Sequence, residues 1–149
     1  AIVGNGLFGG TPISMLCTNV REKNSLAYYA SSRFDGFTGT LLVQAGIDQS
    51  NEKAVRTIIA EQLTAITKGQ FSDEVFDQVV ASLINGRESR LDSQRSLVNQ
   101  AMLDQLLHSS VSADDWVKQI KQVTREDVEK MAERVHLQAV YFLKGEDAK

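Results

Sequence analysis

Arg21-Glu22-Lys23-Asn24-Ser25-Leu26-Ala27-Tyr28-Tyr29 is the stretch on which the reading of this chain turns. It reads as a helix-to-strand junction, with an arginine placed seven residues before a tyrosine. Arg21 offers a permanent cation and a fork of N–H donors, and Tyr28 a phenolic hydroxyl. Held together over a cleft, such a pair can grip a peptide carbonyl and stabilise negative charge building on its oxygen. A plainer reading stands beside this one. Arg21 binds carbonyls at its own helix end, and Tyr28 is a sheet aromatic packed under a helix.

On the N-terminal side, the pattern predicts a helix from about Leu7 to Lys23, with Pro12 near its beginning, where a missing N–H does little harm. Leu7, Ile13, Leu16, Cys17 and Val20 share its buried side. On the C-terminal side, Leu26 to Phe34 and Thr40 to Asp48 read as strands, the second with Leu41, Val43, Ala45 and Ile47 on one face. Asp35-Gly36-Phe37-Thr38-Gly39 between them makes an antiparallel hairpin.

The rest is mainly helical. Val55, Ile58, Ile59, Leu63 and Ile66 recur at helical spacing between Asn51 and Lys68, and Gly69 is the stop. Ser72 caps the next helix, with Phe71 and Phe76 at hydrophobic-staple positions. Asp92 or Ser93 opens a further helix through Leu97, Ala101, Leu103, Leu106 and Leu107 to His108. Trp116 and Ile120 mark a short helix, and Thr124 caps the last, with Met131, Ala132 and Val135 toward the core. Val140, Tyr141, Phe142 and Leu143 within Gln138–Lys144 read as a short buried strand. The order predicts an α+β fold, helices packed on a mainly antiparallel sheet, with residues 1–149 as one domain. The hairpin's edge is expected to be completed by the final strand or by residues upstream.

A length of 149 residues, 42% of them hydrophobic, suffices for one sizeable core. The net charge of −3 argues against nucleic acid as main partner, since no basic excess meets phosphates. No apolar run reaches the roughly 20 residues needed to cross a bilayer, so no membrane is expected. No signal peptide is evident at Ala1-Ile2-Val3, and the absence of an initiating Met suggests a fragment or processed form. The lone Cys17 has no internal disulfide partner, which is compatible with a reducing cytoplasm.

Other motifs have ordinary explanations. Gly4-Asn5-Gly6-Leu7-Phe8-Gly9 matches GxGxxG, but a dinucleotide site needs a preceding strand and a following parallel one. Close helix packing is the better reading. His108 and His136 lie outside any compact zinc spacing, and Cys17 reads as a core thiol. Asp114-Asp115 and Glu126-Asp127 begin helices, where carboxylates meet exposed N–H groups. Arg87, Arg90 and Arg95, interleaved with Glu88 and Asp92, read as a solvated helix face.

Leu7-Phe8-Gly9-Gly10, then the helix, then Arg21-Glu22-Lys23 and Leu26-Ala27-Tyr28, resembles the pitrilysin/insulinase family of zinc metallopeptidases. Phe37-Thr38-Gly39-Thr40-Leu41, Gly69-Gln70-Phe71-Ser72-Asp73-Glu74 and Val123-Thr124-Arg125-Glu126-Asp127-Val128 follow in the order that family shows. The resemblance implies the C-terminal, non-zinc-binding portion of such an enzyme. It implies that Arg21 and Tyr28 are the pair that holds substrate and stabilises the transition state. Zinc is then a cofactor of the intact enzyme but not bound by this chain, which has no HxxEH. The zinc motif lies in a missing domain or a separate subunit, the substrate is a peptide, and a dimer is compatible. This chain alone is expected to show no peptidase activity and no stoichiometric zinc. Two departures stand out: the family's usual Gly before Leu-Ala-Tyr is Ser25, and its usual Ser-Arg-Leu is replaced by Ile13-Ser14-Met15-Leu16. Two alternatives remain, a non-catalytic peptide-binding or structural subunit of the same family, and an unrelated α+β interaction module whose hairpin edge adds to a partner's sheet.

Overall fold

The computed structural model describes residues 1–91, Val98, Met102 and residues 111–144. The helix expected from Asp92 or Ser93 to His108 lies, apart from two helical residues, outside the described residues.

The expected first helix is two helices. The first, α1 (Ile2–Asn5), runs on as a π-helical stretch, Gly6–Gly10. The second is a π-helical stretch, Cys17–Lys23, entered through helical residues 15–16. The break follows from Pro12. A residue before proline is pushed out of the helical region, and Thr11 sits at φ −128°, ψ 159°. Its hydroxyl donates to Gly6 O at 2.9 Å, closing the first helix. Ser14, fully buried, accepts from Cys17 N at 3.4 Å and opens the second. Gly4, Gly6, Gly9 and Gly10 therefore lie within a helix. A Cβ on Gly6 would stand 2.9 Å from Val79 Cγ1, and one on Gly9 would meet Ser32. Tight packing of this helix explains the GxGxxG match.

The hairpin forms as expected, β1 (Ala27–Asp35) antiparallel to β2 (Thr40–Ile47). Asp35 Oδ1 accepts from Phe37 N at 2.9 Å to shape the turn, which holds its carboxyl below the ordinary range. Ala30 and Ser32 of β1 are buried, and Leu41, Val43, Ala45 and Ile47 of β2 pack on the same core. Next come α2 (Glu52–Thr67), α3 (Asp73–Leu91), α4 (Ala113–Gln122) and α5 (Arg125–Glu133). Val3, Leu7, Leu16, Val20, Ile66, Val79 and Val128 meet in one cluster between these helices and the hairpin. Each such buried aliphatic side chain contributes about 1.5–3 kcal/mol. The fold is α+β, with helices on an antiparallel sheet that has two strands among the described residues.

The helix punctuation is local chemistry. Gly69 takes φ +64° and Gln70 N returns to Ala65 O at 2.8 Å, a glycine-terminated helix end. Ser72 accepts from Val75 N, and the Phe71 and Phe76 rings stack at 6.2 Å. Thr124 and Asp127 form a reciprocal capping box, and the backbone hydrogen bond from Thr124 lowers the Asp127 carboxyl below its ordinary value.

The expected final strand does not form. Residues 138–144 form no strand, and Val140, Tyr141 and Leu143 are exposed. A strand exists only as part of a ladder, and β1 and β2 pair only with each other among the described residues. A short run of apolar residues alone could not supply the missing partner.

Arg125 ties the α2–α3 turn to the start of α5. Its Nη1 donates to Asp73 Oδ1 at 2.7 Å, and its Nη2 to Gly69 O at 2.9 Å and Phe71 O at 2.6 Å. The guanidinium lies 4.1 Å from the Phe71 ring centre. Arg125→Ala should lower stability by about 1–2 kcal/mol in urea denaturation. Arg125→Lys should recover only part, since an ammonium lacks the planar fork. A loss below about 0.5 kcal/mol would mean this contact is ornamental.

Candidate functional site

A cleft of ≈ 370 Å³ opens between the Gly9–Pro12 turn, the second helix and β1. Gly9, Gly10, Thr11 and Pro12 form one wall, Cys17, Arg21 and Glu22 another, and Ala30 and Ser31 the floor. The break at Thr11–Pro12 makes this hollow, because an uninterrupted helix would fill it. Arg21 is exposed at the rim, with Nη1 4.0 Å from Cys17 Sγ, a weak contact across one helical turn. Among the described residues Arg21 forms no ion pair. Cys17 is buried as expected, but it also forms part of this wall.

Tyr28 does not line the cleft. It sits two residues before Ala30, about 7 Å along the strand. The pairing runs from Ala27↔Ile47 to Tyr29↔Gly46, which leaves Tyr28 as the extra residue of a β-bulge. A bulge re-aims its side chain and frees it from the ladder. Tyr28 is 73% exposed, and its hydroxyl donates to Asp48 Oδ1 at 2.9 Å. That bond, reinforced by the carboxylate's charge, pushes the Tyr28 hydroxyl above its ordinary pKa, so it stays protonated. Tyr29 turns the other way, its ring lying over Gly46 where any side chain would collide. Arg21 and Tyr28 thus stand on adjoining elements, with no hydrogen bond joining them among the described contacts.

The loop between them is bent at Ser25. Ser25 N donates to Arg21 O, Leu26 N donates to Val20 O, and Ser25 adopts φ +50°. A left-handed backbone costs an L-residue about 1–2 kcal/mol and glycine nothing. Ser25 therefore occupies a conformation that favours glycine, which gives the departure noted in the sequence a physical meaning: a residue with a side chain holds this turn at a cost. Glycine's greater freedom in the unfolded chain offsets part of the gain. Ser25→Gly should raise stability by about 0.5 kcal/mol, read as a higher urea midpoint. A lower midpoint would contradict the strain.

Sequence reasoning missed Asp48 and Asn51, which come from the turn after β2. Asn51 Nδ2 donates to Leu26 O at 3.3 Å. No local signal marks Asp48, because its partner is twenty residues away. Arg87 is not on a solvated face as expected; it stacks 4.7 Å from the Trp116 ring centre. His136 is exposed in the chain after α5. Among the described residues no three His, Cys, Asp or Glu side chains gather where a metal could sit. Cys17, beside a guanidinium, does not fit a cation. No described helix is long and apolar enough to cross a membrane.

A family model described as the peptidase M16 inactive domain matches residues 1–83, which contain the cleft, Arg21, Tyr28 and Asp48. The chain belongs to the peptidase M16 inactive-domain family. Its M16 relatives include the "Probable inactive metalloprotease YmfF" of Bacillus subtilis, 40% identical over 143 residues, 96% of this chain and 34% of the relative. The "Uncharacterized zinc protease SCO5738" of Streptomyces coelicolor is 30% identical over 134 residues, 88% of this chain and 29% of the relative. A conserved protein from Enterococcus faecalis has a crystal structure that superposes at a TM-score of 0.89 with 39% identity, over 97% of this chain and 34% of that one. A protease from Helicobacter pylori shares the fold at a TM-score of 0.75 and 18% identity, over 88% of this chain and 32% of that one. The chain spans about a third of the length of the relatives it matches.

Proposed function

We propose that residues 1–149 form one α+β unit of a longer zinc-dependent peptidase and supply the substrate-holding wall of a composite active site. The observation that carries this reading is the arrangement of Arg21 at the rim of an open cleft with Tyr28 on a bulge at the neighbouring strand end. Both groups are exposed donors, and neither is absorbed into the core. A peptide laid along β1 would present backbone carbonyls to both. Arg21 anchors a carbonyl through its N–H fork, and Tyr28 donates to the oxygen on which charge develops. On this reading the zinc site belongs to polypeptide outside this chain, whose sequence carries no HxxEH.

A second reading has a specific observation in its favour: a relative 40% identical is named as a probable inactive metalloprotease. In that case the same wall holds peptide without cleaving it. One experiment separates the two. The whole protein is assayed for cleavage of a quenched fluorescent peptide and, with metal chelated, for binding of the same peptide. Arg21→Ala should lower kcat/KM by about tenfold or more and should weaken binding. Loss of binding in a protein without turnover identifies the holding role alone. Unchanged binding and unchanged turnover would refute both readings of Arg21.

A further inference from the structure

A phenol has one O–H to donate, and in this structure Asp48 Oδ1 accepts that hydrogen bond. The Tyr28 hydroxyl is 2.9 Å from Asp48 Oδ1, so it is not free for any second acceptor. The arrangement around this bond is built from one turn. Asn51 N donates to Asp48 O at 2.9 Å and closes the turn, while Asn51 Nδ2 holds Leu26 O at 3.3 Å. The turn after β2 thus grips the backbone just before the bulge and the side chain on the bulge. Tyr28 itself is 73% exposed and lies outside the ladder, so its ring can move without breaking strand pairing.

We infer that Asp48 is a positioning residue that holds the Tyr28 hydroxyl at rest and is displaced by a peptide carbonyl. This inference rests on the reading of Tyr28 as a substrate-holding group. The exchange conserves the single O–H donor: the bond to the carboxylate breaks as the bond to the carbonyl forms, and no proton changes owner. Asp48 keeps the ring near the strand end in the free protein but competes with the peptide. The apparent affinity is reduced by the fraction of molecules in which the hydroxyl is held.

The test uses the whole protein with metal chelated, as wild type, Asp48→Asn, Tyr28→Phe and the double variant. Ultraviolet difference titration against the Tyr28→Phe protein isolates the ionisation of Tyr28. Asp48→Asn should move that ionisation to lower pH; an unmoved ionisation overturns the pairing. Fluorescence anisotropy with a fluorescein-labelled unstructured peptide reads affinity. Asp48→Asn should lower Kd about two- to fivefold, as suits one solvent-exposed hydrogen bond, and should have no effect once Tyr28 is Phe. An unchanged or higher Kd in Asp48→Asn, or an effect that persists in the double variant, overturns displacement. If the ionisation moves but Tyr28→Phe leaves Kd unchanged, the pair stands. Peptide holding by Tyr28, and the exchange that depends on it, then fall.

Discussion

Tyr28→Phe in the whole protein should lower kcat for peptide cleavage by about 10²–10³-fold, with a smaller change in KM. The substitution removes one oxygen and leaves the ring, so strand geometry and bulge are retained. On the proposed reading, the hydroxyl acts in the transition state. A scissile carbonyl already accepts hydrogen bonds in the ground state, but the oxygen becomes an anion only as the tetrahedral centre forms. Tyr28 suits this task because its hydroxyl remains protonated well above neutral pH, with Asp48 favouring the neutral form. Its exposure carries little cost to stability, so the variant should fold as the parent does. A large fall in kcat with an unaltered urea midpoint is the expected pair of results. An unaltered kcat would show that Tyr28 touches no reacting atom.

Gly9→Val should lower stability by about 3 kcal/mol or prevent folding. Even a single Cβ at Gly9 would stand 2.6 Å from Ser32 Oγ, 2.7 Å from Ser32 N and 2.9 Å from Leu16 Cδ1. The second of these is backbone of β1, which cannot rotate out of the way. Ser32 is also tied to this same helix, its hydroxyl donating to Asn5 Oδ1 at 2.8 Å. Valine would push the first helix off the strand whose neighbouring residues, Ala30 and Ser31, floor the cleft. The damage should therefore reach peptide binding even in molecules that fold. Gly9→Ala is the graded control, with a smaller loss. A Gly9→Val protein as stable as the parent would contradict the tight crossing and reopen the question of what Gly4–Gly9 is for.

What could be read in the sequence was what neighbours in sequence decide. The hairpin, the Gly69 stop, the Phe71–Phe76 staple and the Thr124 cap each depend on residues close in sequence, and each is where local chemistry puts it. The break at Thr11 was also local, since proline restricts the residue before it, but apolar spacing on both sides of Pro12 masked it. The segment 138–144 could not be judged locally at all, because a strand is defined by its neighbour. The candidate site divides the same way. Arg21 and Tyr28 stand out by type and spacing, and the odd serine at position 25 proves to hold a left-handed backbone. The partner of Tyr28 comes from the far strand end, and the bulge that frees Tyr28 is a property of register, which side-chain pattern does not reveal.

The central claim is that Arg21 and Tyr28 face one peptide. A crystal structure of the whole protein with a bound, uncleaved peptide measures this most directly. The account predicts the Arg21 guanidinium and the Tyr28 hydroxyl each within hydrogen-bond distance of the same peptide backbone, with Tyr28 released from Asp48. A peptide that leaves Tyr28 on Asp48 and Arg21 in solvent would contradict it.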